Sequence, residues 1–157
     1  MNTFKKFLLF LIIPLTAFSQ EGMMVKRQQA KRVLRRTAVV ILVAHKKVKE
    51  GKVYTGDLAR AIAHQHFAIK LFREGKYFCA IHQSRRARML AIMAIKANKG
   101  EETAEMKYEK EDEEAMKKGP KDEELDKEVA KELPAEAAAK DEDVIKSEPA
   151  VDLKEDE

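Results

Sequence analysis

The chain has 157 residues, among them 31 Lys/Arg, 27 Asp/Glu, one Cys and no Trp, and its formal net charge is +4. That length suits one ordinary domain, a single Cys excludes an internal disulfide framework and any Cys-based zinc finger, and 37% charged with 6% aromatic residues is too polar for the whole chain to form one packed core. The net charge hides a division: residues 1–100 hold 21 basic and 4 acidic side chains (+17), whereas residues 101–157 hold 10 and 23 (−13).

At the start, Lys5 and Lys6 precede an apolar run from Phe7 to Phe18, and Ala17 and Ser19 stand at the −3 and −1 places of a cut before Gln20. This is the layout of a secretory signal peptide over residues 1–19. The apolar run is about 12 residues, short of the ~20 that span a bilayer, and retention as an uncleaved anchor is the alternative. No Cys lies near the site, so a lipoprotein anchor is excluded. The Phe-Ser-Gln end resembles the leaders of exported proteins of Bacteroidetes-type Gram-negative bacteria. The expected location is therefore the periplasm or the exterior. Export argues against nucleic acid as a partner, which the basic composition would otherwise suggest.

Residues 20–100 are expected to form a basic helical domain. From Met23 to Glu50 there is neither Pro nor Gly, and Ala30, Val33, Leu34, Thr37, Val40, Ile41, Ala44 and Val48 fall on one helical arc. Lys26, Arg27, Lys31, Arg32, Arg35 and Arg36 crowd the outside of that arc. Ala38–Ala44 is apolar all round, which implies contact on more than one side; its Val/Ile content also suits a strand, but the flanks continue the helical period, so a helix over 23–50 ending at Gly51 is predicted. Thr55 is a plausible N-cap for a second helix over 56–74, with Asp57 suited to its N-terminal dipole. Leu58, Ala61, Ile62, Ala68, Ile69 and Phe72 share one arc of it, and His64, Phe67 and Leu71 a second, as in a helix sandwiched between two neighbours. Gly75-Lys76 breaks the run. A third helix over 77–98 carries Ala80, Ser84, Ala87, Ala91 and Ile95 on a small-residue stripe that permits close helix approach, with Gly100 as its stop. The fold class is thus all-α, a small antiparallel three-helix domain followed by a disordered acidic tail.

Residues 64–88 resemble a tetratricopeptide-type hairpin through Ala68 and Leu71 in the first helix, Gly75-Lys76-Tyr77 at the turn, and Ala80 and Ala87 in the second. The resemblance covers one repeat of about 25 residues where stable arrays need about three. His64 stands where the family has an aromatic, and the closing Pro is missing. It implies hairpin geometry and a protein-binding role.

Residues 101–157 shift to Glu, Lys, Asp and Ala, divided by Pro120, Pro134 and Pro149. Glu113–Lys117, Glu114–Lys118, Glu123–Lys127 and Glu136–Lys140 are spaced for helix support. The expectation is a disordered or partly helical chain, with Glu101–Lys118 its best helix.

The parts for chemistry are few. His64 and His66, two apart on a helix, diverge and cannot share an ion, and the cations around His82 oppose a divalent metal; His64 is expected in the core and His66 at the surface. Cys79 is expected as a small buried packing residue, or else as one half of an intermolecular disulfide. Glu21, Glu50, Asp57 and Glu74 are the four acids of residues 1–100, all expected exposed, leaving no carboxylate pair for general acid/base work there. No nucleophile elbow, phosphate-binding glycine loop or zinc-protease motif occurs. No catalytic residue, cofactor or metal is therefore expected. Electrostatics remain: Lys31, Arg32, Arg35, Arg36, Arg85, Arg86 and Arg88 are the candidate anion- or partner-binding residues. The expected function is a non-enzymatic binding or scaffold module of the cell envelope, engaging an envelope protein or anionic surface and open to self-association. The acidic tail would screen its basic face. Binding of anionic polymers (nucleic acid, anionic lipid or polysaccharide) through the same clusters is the alternative.

Overall fold

The computed structural model describes residues 17–154, with side-chain burial given from residue 21. The signal-peptide reading up to residue 16 lies outside the described residues. These residues are all-α: helices α1 (Ala17–Gly51), α2 (Asp57–Arg73), α3 (Tyr77–Ala97), α4 (Lys110–Lys118), α5 (Asp122–Glu132), α6 (Pro134–Ala137) and α7 (Asp141–Val144), with one 3-10 turn (Ala104–Met106) and no strand among them. None of these helices is long and apolar enough to cross a membrane.

The eight arc residues of α1 are all buried, Leu34, Ile41, Ala44 and Val48 completely. Both arcs of α2 are buried as well, and so is the small-residue stripe of α3. Gly75, at φ 76°, closes α2. The Lys76 amide donates to the Leu71 carbonyl at 2.9 Å and the Gly75 amide to Phe72 at 3.0 Å, the Schellman pattern that frees the last carbonyls of a helix from water. Buried polar side chains join the long helices: Thr37 Oγ1 donates to the Ser84 carbonyl, Ser84 Oγ to Gln65 Oε1, and Gln65 Nε2 to the carbonyls of Leu34 and Val151. Every group in that chain is fully buried, so each bond removes a desolvation cost as well as fixing register.

Several expectations change at the helix ends. Helix α1 starts at Ala17, earlier than residue 23. Gly51 and Gly100 are not the left-handed residues; Lys52 (φ 56°) and Lys99 (φ 55°) are. The two glycines answer to crowding instead. A Cβ at Gly51 would collide with Asn98, and one at Gly100 with Ile95. Asn98 uses that close approach: its side-chain amide donates to the Val53 and Ala94 carbonyls and its Oδ1 accepts the Val53 amide. The N-cap of α2 is Gly56, not Thr55, whose Oγ1 instead accepts the Asp57 amide at 3.3 Å and donates to Asp57 Oδ2 at 2.8 Å. Asp57 is consequently buried rather than exposed. Cys79 is exposed, not packed, because it falls outside the Ala80–Ser84–Ala87 stripe.

The acidic segment, expected as a disordered or partly helical tail, is laid over the long helices in short helical pieces. Two forces hold it. Met106, Val129, Val151 and Leu153 are buried in the two apolar clusters of the long helices and Leu125 is buried as well, and its carboxylates meet their cations. Helix begins at Lys110 rather than Glu101, and α6 takes up only the first part of the Glu136–Lys140 spacer. The all-round apolar stretch of α1 finds its second contact here, where partly buried Leu42 and Val43 share a cluster with Tyr108, Val144 and Ile145, although Val39 stays exposed.

Candidate anion-binding face and its acidic cover

The basic cluster of α3 faces the acidic segment. Arg85 and Arg88 are both buried and share one carboxylate. Arg85 Nε donates to Asp112 Oδ1 at 2.8 Å, and Arg88 Nη2 to Asp112 Oδ2 at 2.9 Å. Burial alone would raise the Asp112 pKa, but the hydrogen bonds and charges of Arg88 and Arg85 outweigh it and hold the carboxyl below its ordinary range. Arg88 also stacks over the Tyr108 ring, its guanidinium carbon 4.5 Å from the centroid. Burial pushes the Tyr108 hydroxyl up. Two guanidinium groups on one carboxylate leave a buried excess of positive charge. Arg88 Nε and Nη1 and the Tyr108 hydroxyl have no hydrogen-bond partner among the described residues.

Between Arg85 and Arg88 in sequence, Arg86 bridges the start of α5. It donates to Asp122 Oδ2 at 2.9 Å and to both oxygens of Asp126 at 2.9 and 2.8 Å. Arg60 of α2 reaches the same Asp126 at 2.7 Å. Burial again opposes, and Arg86 and Arg60 again prevail, so Asp126 also titrates below its ordinary range. His64 sits behind this pair, with Nδ1 2.7 Å from Gln83 Oε1 and Nε2 3.0 Å from Asp126 Oδ1. Burial pushes its pKa down despite these acceptors, with Arg86 and Arg60 adding to the effect. His82 is likewise lowered, by burial and by Arg85. His66, expected at the surface, is half-buried with Nδ1 2.6 Å from Glu136. Lys70–Glu132 at 3.0 Å and Arg36–Glu109 at 2.8 Å extend the seam along α2 and α1, and Arg36 also donates to the carbonyls of Ala104, Glu105 and Lys107.

The expected binding residues therefore divide. Arg36, Arg85, Arg86 and Arg88 are brought together under the acidic segment. Arg32 and Arg35 lie exposed on α1, and Lys31 is half-buried beside them. Sequence reasoning missed Asp112, Asp126 and Asp141. Asp141, 1% exposed, accepts the Gly56 amide at 2.8 Å and the Ala59 amide at 2.9 Å. Both roles of a capping box, at the cap residue and at the third helical residue, thus fall to one remote carboxylate, since Gly56 has no side chain of its own. The readable signal for this segment was Leu125, Val129 and Leu133, spaced by four on an otherwise charged stretch. Among the described residues no group of three His, Cys, Asp or Glu side chains is placed to hold a metal ion.

A scan against protein-family models and searches of curated proteins and of solved structures return no match to this chain.

Proposed function

We propose that this chain is an exported, non-enzymatic binding or scaffold module of the cell envelope. Its body is an antiparallel three-helix domain, and its acidic C-terminal segment occupies the basic face that would otherwise engage an anionic partner. One observation carries the reading: Asp112, Asp122 and Asp126 sit on Arg85, Arg86 and Arg88 at 2.7–2.9 Å, the geometry an external carboxylate, phosphate or sulfate would adopt there. A tethered ligand competes at high effective concentration, so an external polyanion must displace it. The resemblance of residues 64–88 to a tetratricopeptide hairpin adds protein binding to the same reading, and self-association remains compatible with it. Binding of anionic polymers is the second reading, supported by exposed Arg32 and Arg35, which the acidic segment leaves uncovered.

Heparin chromatography of the whole chain at low salt tests the screening. Asp122→Asn with Asp126→Asn keeps the chain length and the Leu125 and Val129 anchors while releasing Arg86 and Arg60. The double variant is expected to elute at higher salt than the parent chain, with unchanged helical circular dichroism. Elution at the parent's salt concentration with the fold intact would end the screening proposal. Removing residues 101–157 outright is a harsher version, because it also uncovers the apolar contacts of Met106 and Val151.

A further inference from the structure

The acidic segment meets α1, α2 and α3 but leaves part of the outer side of α1 exposed. Residues 21–28 of α1 are all exposed and precede Ala30, its first buried residue among those whose burial is described. At 1.5 Å per residue this stretch is about 12 Å long, and Arg27 within it reaches back over the Phe72 ring of α2 at 5.7 Å. Met24 and Val25 there are 64% and 67% exposed. At about 100° per residue, Met24, Val25, Arg32, Arg35, Val39 and Lys46 fall on the stripe opposite the buried arc, a sector that also holds exposed Glu21 and Glu50 and partly buried Leu42 and Val43. The first six are all exposed. Among the described residues no carboxylate pairs with Arg32, Arg35 or Lys46, whereas Arg36, on the flank, is held by Glu109. Its three cations outnumber the carboxylates of Glu21 and Glu50 at its two ends, so the stripe is basic through its middle and carries apolar side chains beside those cations, and it follows the Phe7–Phe18 run in sequence.

We infer that the outward stripe of α1 is a membrane-surface contact: it lies along a bilayer with Arg32, Arg35 and Lys46 among anionic lipid head groups and Met24, Val25 and Val39 at the acyl boundary. A helix with cations beside exposed apolar side chains gains from an interface in both ways, by charge attraction and by burying apolar area. A polysaccharide or nucleic acid would engage the cations and leave Met24, Val25 and Val39 in water. The mixture of side chains therefore selects a bilayer over a soluble polyanion. At its edges the stripe meets the acidic segment, Arg32 lining a cavity with Arg88, Glu109 and Asp112 and Lys46 one with Ser147 and Glu148, yet Arg32, Arg35 and Lys46 stay exposed with the segment docked.

The test is sedimentation of the whole chain with vesicles of phosphatidylcholine alone and of phosphatidylcholine with one-third phosphatidylglycerol. The anionic vesicles are expected to bind more chain, and the excess to vanish in high salt. The Phe7–Phe18 run contributes equally to both lipids, but Lys5 and Lys6 beside it add to the excess, so the share of the excess lost on reversing Arg32 and Arg35 is what reports on α1. Arg32→Glu with Arg35→Glu is expected to cut the excess about tenfold or more. Lys96→Glu with Lys118→Glu, a charge-matched pair on exposed positions of α3 and α4, should leave it within about twofold. Met24→Ser with Val25→Ser is expected to weaken vesicle binding severalfold while retention on a DNA duplex stays unchanged. Three results would each overturn the inference: an excess that survives the Arg pair reversal, an equal loss from the Lys pair, or no effect of the Met24 and Val25 changes on vesicle binding. The last would reassign the stripe to soluble polyanions.

Discussion

The long helices and the acidic segment that covers them are held by different physics. Helices α1–α3 bury continuous apolar stripes against one another, an attraction that salt leaves nearly untouched. The segment from residue 101 onward contributes a handful of apolar anchors and a seam of carboxylates, most of them partly exposed, and individual exposed pairs of this kind are worth about 0–1 kcal/mol. One region is therefore a core and the other a latch. The comparison teaches that a nearly neutral chain can be organised as two opposed charges that neutralise each other in space.

The largest expected effect comes from the exception, where the latch reaches into the core. Asp112→Ala leaves Arg85 and Arg88 buried without a counter-charge and is expected to cost about 3–5 kcal/mol in urea unfolding. Arg88→Met, which removes one of two guanidiniums from a single carboxylate, should cost far less. Ile41→Ala, in the core proper, is expected to cost about 2–5 kcal/mol with no dependence on salt. If its effect shrank at high salt, the division into core and latch would fail.

Smaller is Asp141→Ala, which strips the cap from α2 and should cost about 1–2 kcal/mol. Amide exchange ought to rise at Gly56 and Ala59 and not in the middle of α2. Acid then separates the two regions gradually. His64 and His82 have lowered pKa values, so the unfolded chain binds their protons first, and stability starts to fall as pH drops below about 6.5. Asp112 and Asp126 also have lowered values; their contribution is complete above about pH 4 and is lost as pH falls through their folded pKa values. Limited proteolysis across this range should cut the acidic segment before the long helices. Simultaneous cutting of both would show that the two regions form one cooperative unit.

Much of the core was legible because helical periodicity is a local signal. Each residue assigned to the arc of α1 is buried, and so are the paired arcs of α2. The latch was illegible for the opposite reason. Asp112 reads as one more acid in a charge run until Arg85 and Arg88 are placed beside it, and its fate depends on a fold about 25 residues upstream. The sequence showed the excess of bases at Arg85-Arg86-x-Arg88 and the excess of acids after residue 101, but not their pairing. The glycine punctuation marked the ends of α1 and α3, but for a reason the sequence does not show. Gly51 and Gly100 mark where Asn98 and Ile95 crowd the backbone, a tertiary fact, whereas the turns beside them fall to Lys52 and Lys99.

The cap on α2 also imposes an order of events. The Gly56 and Ala59 amides wait for a carboxylate 85 and 82 residues further along the chain. A polypeptide emerging from its amino end therefore completes α1, α2 and α3 with the start of α2 still bonded to water. The cap closes only with Asp141, and until Asp112, Asp122 and Asp126 arrive before it the cationic side of the body stands open to whatever anions surround the growing chain.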